Sequence, residues 1–287
     1  LIYIAPIVAV ALLSVLAAGT GGCSGEPTRN ELRCRRLGGT EAKAAHDGLR
    51  ILVGSHVVDS AITAGRVARC ESAAAAVFVA VEEARRRLPR ELRRPVDVHL
   101  DPRGHHPPDG VETLIAHGAL LVDGRRGANL DQSIWLHELI HVAAAGSRPS
   151  DPIGSRLIAA VDEAAADYGA AVVLGRTHLG PPGPRGARDL EDGEALRPAA
   201  FHALAVGEGF DAHGFGLPLA AALLDQEAEP GALLEDLVTT LGGRGAPWPQ
   251  SVGAAGAVQA LVTRCPPRSR DGLATALEDW LPPELLP

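Results

Sequence analysis

The chain has 287 residues, of which 46% are hydrophobic but only 3% aromatic, and its formal charge is −8. That length and apolar content can bury the core of one or two domains, resting on Ala, Leu and Val rather than on rings. The acidic balance, without a Lys/Arg-rich face, argues against a nucleic-acid partner.

Leu1 to Ala18 is uncharged and mostly apolar, and small residues follow in Gly19-Thr20-Gly21-Gly22-Cys23. Residues 1–22 read as the apolar region and cleavage zone of a secretory signal, or as an uncleaved membrane anchor. The small-small-Cys ending resembles a bacterial lipoprotein signal, which implies lipidation at Cys23. Thr20 departs from that pattern, which usually has an aliphatic residue there. Lipoprotein, secreted protein and membrane-anchored protein all place the domain outside the cytoplasm.

Residues 23–45 are polar and read as a tether. If Cys23 is lipidated, Cys34, Cys70 and Cys265 remain and allow at most one disulfide, for which Cys34–Cys70 is the favoured pairing; three buried free thiols are the alternative. No CxxC occurs. A helix is expected over Glu71–Leu88, where Glu82-Glu83 gives way to Arg85-Arg86-Arg87, cations at the end that favours them. Pro95–Leu100 alternates like a strand. Arg103–Gly110, with His105-His106, reads as a loop, and Gly118–Gly124 as another strand ending in a turn.

Trp135-Leu136-His137-Glu138-Leu139-Ile140-His141-Val142 then sets His-Glu-x-x-His in an apolar run that reads as helix. Positions i and i+4 share a helix face, so His137 and His141 can present two imidazoles to one metal ion. Glu138 stands beside that ion, where a carboxylate can take a proton from the attacking water. Ser150-Asp151-Pro152 is a helix-start signal for a segment running to about Leu174. Glu163 lies 22 positions after His141, with room for the first helix to end near Gly146 and the second to return alongside. Its carboxylate can then serve as a third ligand. Asp167, one turn on, can accept from the outer nitrogen of a ligand histidine.

His137-Glu138-Leu139-Ile140-His141 followed by Glu163-Ala164-Ala165-Ala166-Asp167 resembles the gluzincin branch of the zincin metallopeptidases, the thermolysin-like proteins. The resemblance covers about forty residues. It implies Zn2+ held by His137, His141 and Glu163, with Glu138 as general base and Asp167 as the partner of His137. It also implies that residues 118–123 form the sheet edge above the cleft, where an extended peptide can pair through its backbone.

Residues 176–198 are rich in Gly, Pro and Arg and read as a linker or surface loop. Helical periodicity resumes at about 198–206, 216–226, 231–241, 253–264 and 271–281. The expected fold is therefore α+β and mainly α. It comprises a zincin-like catalytic core over 46–175, with a small antiparallel sheet, an active-site helix and a glutamate helix, then a helical C-terminal subdomain over 199–287.

The expected activity is metal-dependent hydrolysis of peptide bonds in a peptide or protein substrate, with Glu138 passing the water proton to the leaving amine. Gluzincins often draw an oxyanion donor from the C-terminal half. His213 is the candidate, ahead of His202 and Tyr168. The alternative is a catalytically silent zincin-fold lipoprotein serving as a binding or scaffold protein.

Overall fold

The computed structural model describes the backbone of residues 34–37, 41–46 and 49–53. It also describes, for most positions with side chains, residues 77, 80–101, 111–114, 118–123, 130–146, 148–180, 188–191, 198–226, 229–243, 248 and 253–286. The architecture is α+β and mainly helical. Six strands form one sheet: β1 (Cys34–Leu37), β2 (Glu41–His46), β3 (Leu49–Val53), β4 (Val96–Asp101), β5 (Val111–Leu114) and β6 (Ala119–Asp123), in the order β1-β2-β3-β4-β6-β5.

The sheet is mixed, which corrects the antiparallel expectation. β1, β2 and β3 form an antiparallel meander, but β3 runs parallel to β4 and β4 to β6. Connection length explains the difference. Residues 47–48 alone separate β2 from β3, a hairpin distance. The long stretch between β3 and β4 carries a helix that includes residues 80–87 (α1), a crossover of the kind that parallel strands need.

Two further expectations change here. The segment read as a tether contributes β1 and β2, whose polar composition, with Arg35, Arg36 and Lys43, is the kind that outer strands carry. Residues 119–123 are not the sheet edge. β5 returns antiparallel along β6 and takes the terminal position. β5 is only four residues long, too short for alternation to declare it. β4 alternates as read, with Val96, Val98 and Leu100 buried and His99 exposed, whereas inner β6 buries Leu120, Val122 and Asp123.

The helices are α2 (Gln132–Ala144), α3 (Pro152–Leu174), α4 (Pro198–Val206), α5 (Ala212–Leu224), α6 (Pro230–Leu241), α7 (Gly253–Arg264) and α8 (Pro267–Trp280). Asp151 caps α3 by accepting from Gly154 N at 2.7 Å, Pro152 fills its first position, and Gly175 ends it at φ +64. α2, α5, α6 and α7 all pack on α3. Ala160, Ala164, Ala165, Ala166 and Ala170 are fully buried, and small side chains let several helices approach one axis. Gly216 shows how closely. A Cβ there would stand 2.4 Å from Ala160 O, so α5 lies directly on the backbone of α3. One apolar cluster runs from the sheet through the C-terminal helices.

The stretch read as a linker contains a two-stranded ribbon, β7 (His178–Leu179) with β8 (Arg188–Asp189). No helix among the described residues is long and apolar enough to cross a membrane. The N-terminal segment with Cys23, the side chains of Cys34 and Cys70, and His105-His106 lie outside the described residues. Cys265 is free and buried.

Candidate metal centre

Two capped helices carry the centre. Asp131 caps α2, accepting from Ser133 N at 2.8 Å and Ser133 Oγ at 2.6 Å. One and a half turns later His137 points inward, and His141 follows a turn beyond it; both are buried. α3 returns against α2 and brings Glu163 opposite the two rings. Gly169 of α3 permits this approach, since a Cβ there would meet Ile140 Cδ1 of α2 at 2.4 Å.

The two Nε2 atoms stand 3.0 Å apart. Glu163 Oε2 is 3.1 Å from Nε2 of His137 and 3.3 Å from Nε2 of His141. Three potential ligand atoms thus face one point, from rings lying nearly perpendicular at 85°.

Each ring is held from behind by a carboxylate, and each carboxylate by an arginine. His137 Nδ1 is hydrogen-bonded to Asp167 Oδ1 at 2.8 Å, and Arg188 of β8 donates to the same oxygen at 2.5 Å. His141 Nδ1 lies 3.2 Å from Asp162 Oδ1, an ion-pair contact without hydrogen-bond alignment, and Arg148 donates to Asp162 Oδ2. A carboxylate on the outer nitrogen turns the inner lone pair toward a metal and raises its basicity.

Burial works against charge throughout, and the neighbours overrule it. Burial pulls His137 down, yet Asp167 and Glu163 together hold the ring above its ordinary value. Burial likewise opposes charge on His141, but Asp162 and Glu163 hold it well above. Burial pushes the Glu163 carboxyl up, whereas hydrogen bonds to His137 and His141 hold it far below the usual carboxylate range. Asp162 and Asp167 are buried too, and the histidines and then the arginines lower them.

Glu138 is in contact with the sheet. Thr113 Oγ1 of β5 lies 2.5 Å from Glu138 Oε2 and donates to it, and sits 3.1 Å from Glu138 O. The terminal strand and the general-base candidate are therefore in direct contact.

The C-terminal half supplies His213. Its Nε2 lies 3.1 Å from Glu163 Oε2, and its ring stacks on His137 with centroids 5.8 Å apart and planes at 11°. Candidate ligand atoms of His137, Glu163 and His213 all lie within 4.8 Å of one another, a group that can hold a metal ion. α5 begins at Ala212, a turn before the position read from the sequence, because Asp211 caps it through His213 N at 3.1 Å. That added turn carries His213. Pro218 lies inside α5. The other two oxyanion candidates stand apart. His202 is exposed on α4, and Tyr168 is buried, donates to Pro230 O at 3.1 Å, and is pushed up to about 12 by burial.

Four contributors were not read from the sequence: Thr113, Arg148, Asp162 and Arg188. Asp162 had a signal, an acid beside Glu163 on an alanine-rich helix that buries most of its faces. The others lie on a four-residue strand, in the turn between two helices and in a Gly/Pro/Arg-rich stretch, where no local pattern marks them.

No protein-family model matches the chain, and neither a curated protein nor a solved structure matches it. The donor chemistry nevertheless fits a cation. Arg148 and Arg188 match Asp162 and Asp167. Among the described residues Glu163 has only imidazoles against it, a set of nitrogen and oxygen donors that could hold a metal ion.

Proposed function

We propose that the protein is an exported zinc-dependent peptidase with a zincin-like core of the gluzincin type. His137, His141 and Glu163 would hold the metal, with Glu138 as general base. One observation carries the reading: the three ligand atoms are 3.0, 3.1 and 3.3 Å apart. Four ligands placed tetrahedrally at roughly 2.0–2.1 Å from zinc stand about 3.3–3.4 Å from one another. Two imidazoles and a carboxylate are the ligand types of hydrolytic zinc sites, and this favours zinc over hard-cation alternatives.

Zinc, when bound, acidifies water and polarises a carbonyl. The remaining work belongs to the chain. Glu138 takes a proton from the attacking water and passes it to the leaving amine nitrogen, so one peptide bond breaks as water is added across it. Thr113 orients the Glu138 carboxylate. An extended peptide or protein segment pairing with β5 through its backbone would run past both residues, a mode indifferent to side-chain identity. Export, whether as a Cys23 lipoprotein, a secreted protein or a membrane-anchored one, rests on the character of residues 1–23.

Metal analysis and a peptide-library digest of the full chain test this reading. The chain should hold about one zinc, lost in His137→Ala and Glu163→Ala. Glu138→Gln should keep zinc while turnover falls about 10²–10⁴-fold. Failure to take up added zinc sinks the proposal, and full activity in Glu138→Gln removes the mechanism. Zinc without hydrolysis by the wild type would point instead to a binding or scaffold protein.

A further inference from the structure

We infer that His213 is a displaceable fourth protein ligand, so that the resting metal site is closed and opens when the start of α5 moves away. This rests on the metal-site reading above and concerns how that site is regulated. Glu163 Oε2 is the shared focus, with Nε2 of His137, His141 and His213 at 3.1, 3.3 and 3.1 Å from it. The third histidine thus meets the carboxylate at the same separation as the two on the metal helix, a ligand-to-ligand spacing.

Close helix packing puts it there. Gly216 rests on Ala160 O, and His213, one turn before Gly216, comes to lie over Glu163, one turn after Ala160. Arg156 fastens the approach from the other side, donating to Leu204 O and Ala205 O at 2.7 Å each, at the end of α4.

What makes the ligand displaceable is the contrast in anchorage. The side chains of His137 and His141 are 5% and 7% exposed and are backed by Asp167 and Asp162. The His213 side chain is 47% exposed, and its Nδ1 is 3.9 Å from an Asp211 carboxylate that is itself 70% exposed. The segment leading to it turns at Gly207 (φ +87) and Gly209 (φ +70), left-handed positions that favour glycine. A catalytic site needs an open position, and here the open position comes from loss of the least anchored ligand.

Co2+ and Zn2+ loading of the full chain tests this, beside His213→Ala and His213→Phe. The phenylalanine keeps a ring stacked on His137 and removes the donor nitrogen. X-ray absorption should count three imidazoles on Co2+ in the wild type and two in both variants. Zinc affinity, by chelator competition, should fall about 10–100-fold in both. Acetohydroxamate should shift the Co2+ visible spectrum at least tenfold more tightly in the variants, where it need not displace His213. Two imidazoles in the wild type, with affinity unchanged by either variant, would overturn the inference while leaving the zinc reading intact. A wild type that binds neither ion would overturn both.

Discussion

Two clusters of buried charge in this chain are built on opposite principles. Asp236 of α6 accepts from Arg268 Nε at 2.7 Å, Arg268 Nη2 at 2.8 Å and Ser269 Oγ at 2.7 Å, which ties α6 to the first turn of α8. Its charge is met by one arginine in two-pronged geometry, and no ligand atoms converge on a shared point. Around Glu163 the opposite holds. Three imidazole nitrogens crowd one carboxylate oxygen, while Arg148 pairs with Asp162 and Arg188 with Asp167, Arg188 also lying 3.2 Å from His137 Nδ1. A cluster closed by a fixed cation is architecture, whereas one that converges ring nitrogens on a carboxylate oxygen could hold a metal ion.

Exchanging the roles of the two clusters gives the largest expected effects. Glu163→Ala should abolish zinc binding and all turnover. Asp236→Ala should leave zinc binding per folded chain unchanged and lower stability by about 1–3 kcal/mol, because the buried Ser269 hydroxyl loses its acceptor. Metal titration beside denaturant unfolding separates the outcomes. Loss of zinc affinity in folded Asp236→Ala would mean that the clusters are not independent.

Within the metal centre, the carboxylates behind the histidines should matter unequally. Asp167→Asn and Asp162→Asn should each weaken zinc about 10–100-fold, with Asp167 toward the upper end, because only its contact to the ring is an aligned hydrogen bond, at 2.8 Å. Equal losses in a chelator competition would show that charge, not alignment, governs the backing. Thr113→Val should spare zinc altogether and lower kcat about tenfold, on the order of 1.4 kcal/mol. Thr113→Ser should restore it. A change in zinc affinity here would place Thr113 with the scaffold rather than with Glu138.

The metal helices were legible because their signals are local. His137 and His141 are set by a four-residue spacing, and α3 by Ser150, Asp151 and Pro152. Glu163 became legible only through the return of that second helix. The sheet was less so. Parallel pairing of β3 with β4 depends on a crossover rather than on alternation, and β5 is too short to show a period. The beginning of α5 lies a turn before the one that periodicity predicts, because Asp211 caps it. The register that puts His213 over Glu163 is tertiary, fixed by the contact of Gly216 with Ala160, and no spacing along the chain encodes it.

The smallest effect is a dependence on pH that should distinguish the clusters once more. Hydrogen bonds from Arg268, ahead of an opposing contribution from burial, hold the Asp236 carboxyl below its ordinary value. A folded pKa below the unfolded value of about 3.9 contributes stability that is present in full above that value. It is lost as the pH falls through the unfolded and then the folded value, because the proton binds the unfolded chain first. The stability difference between wild type and Asp236→Asn should therefore be constant near neutrality and shrink below about pH 4. Because Arg268 and Ser269 need no metal, the shrinkage should be the same with and without zinc in urea melts. A gap that widened in acid would reverse the sign of the Asp236 shift. A gap that appeared only in the zinc-loaded chain would tie Asp236 to the metal centre and end the division between the two clusters.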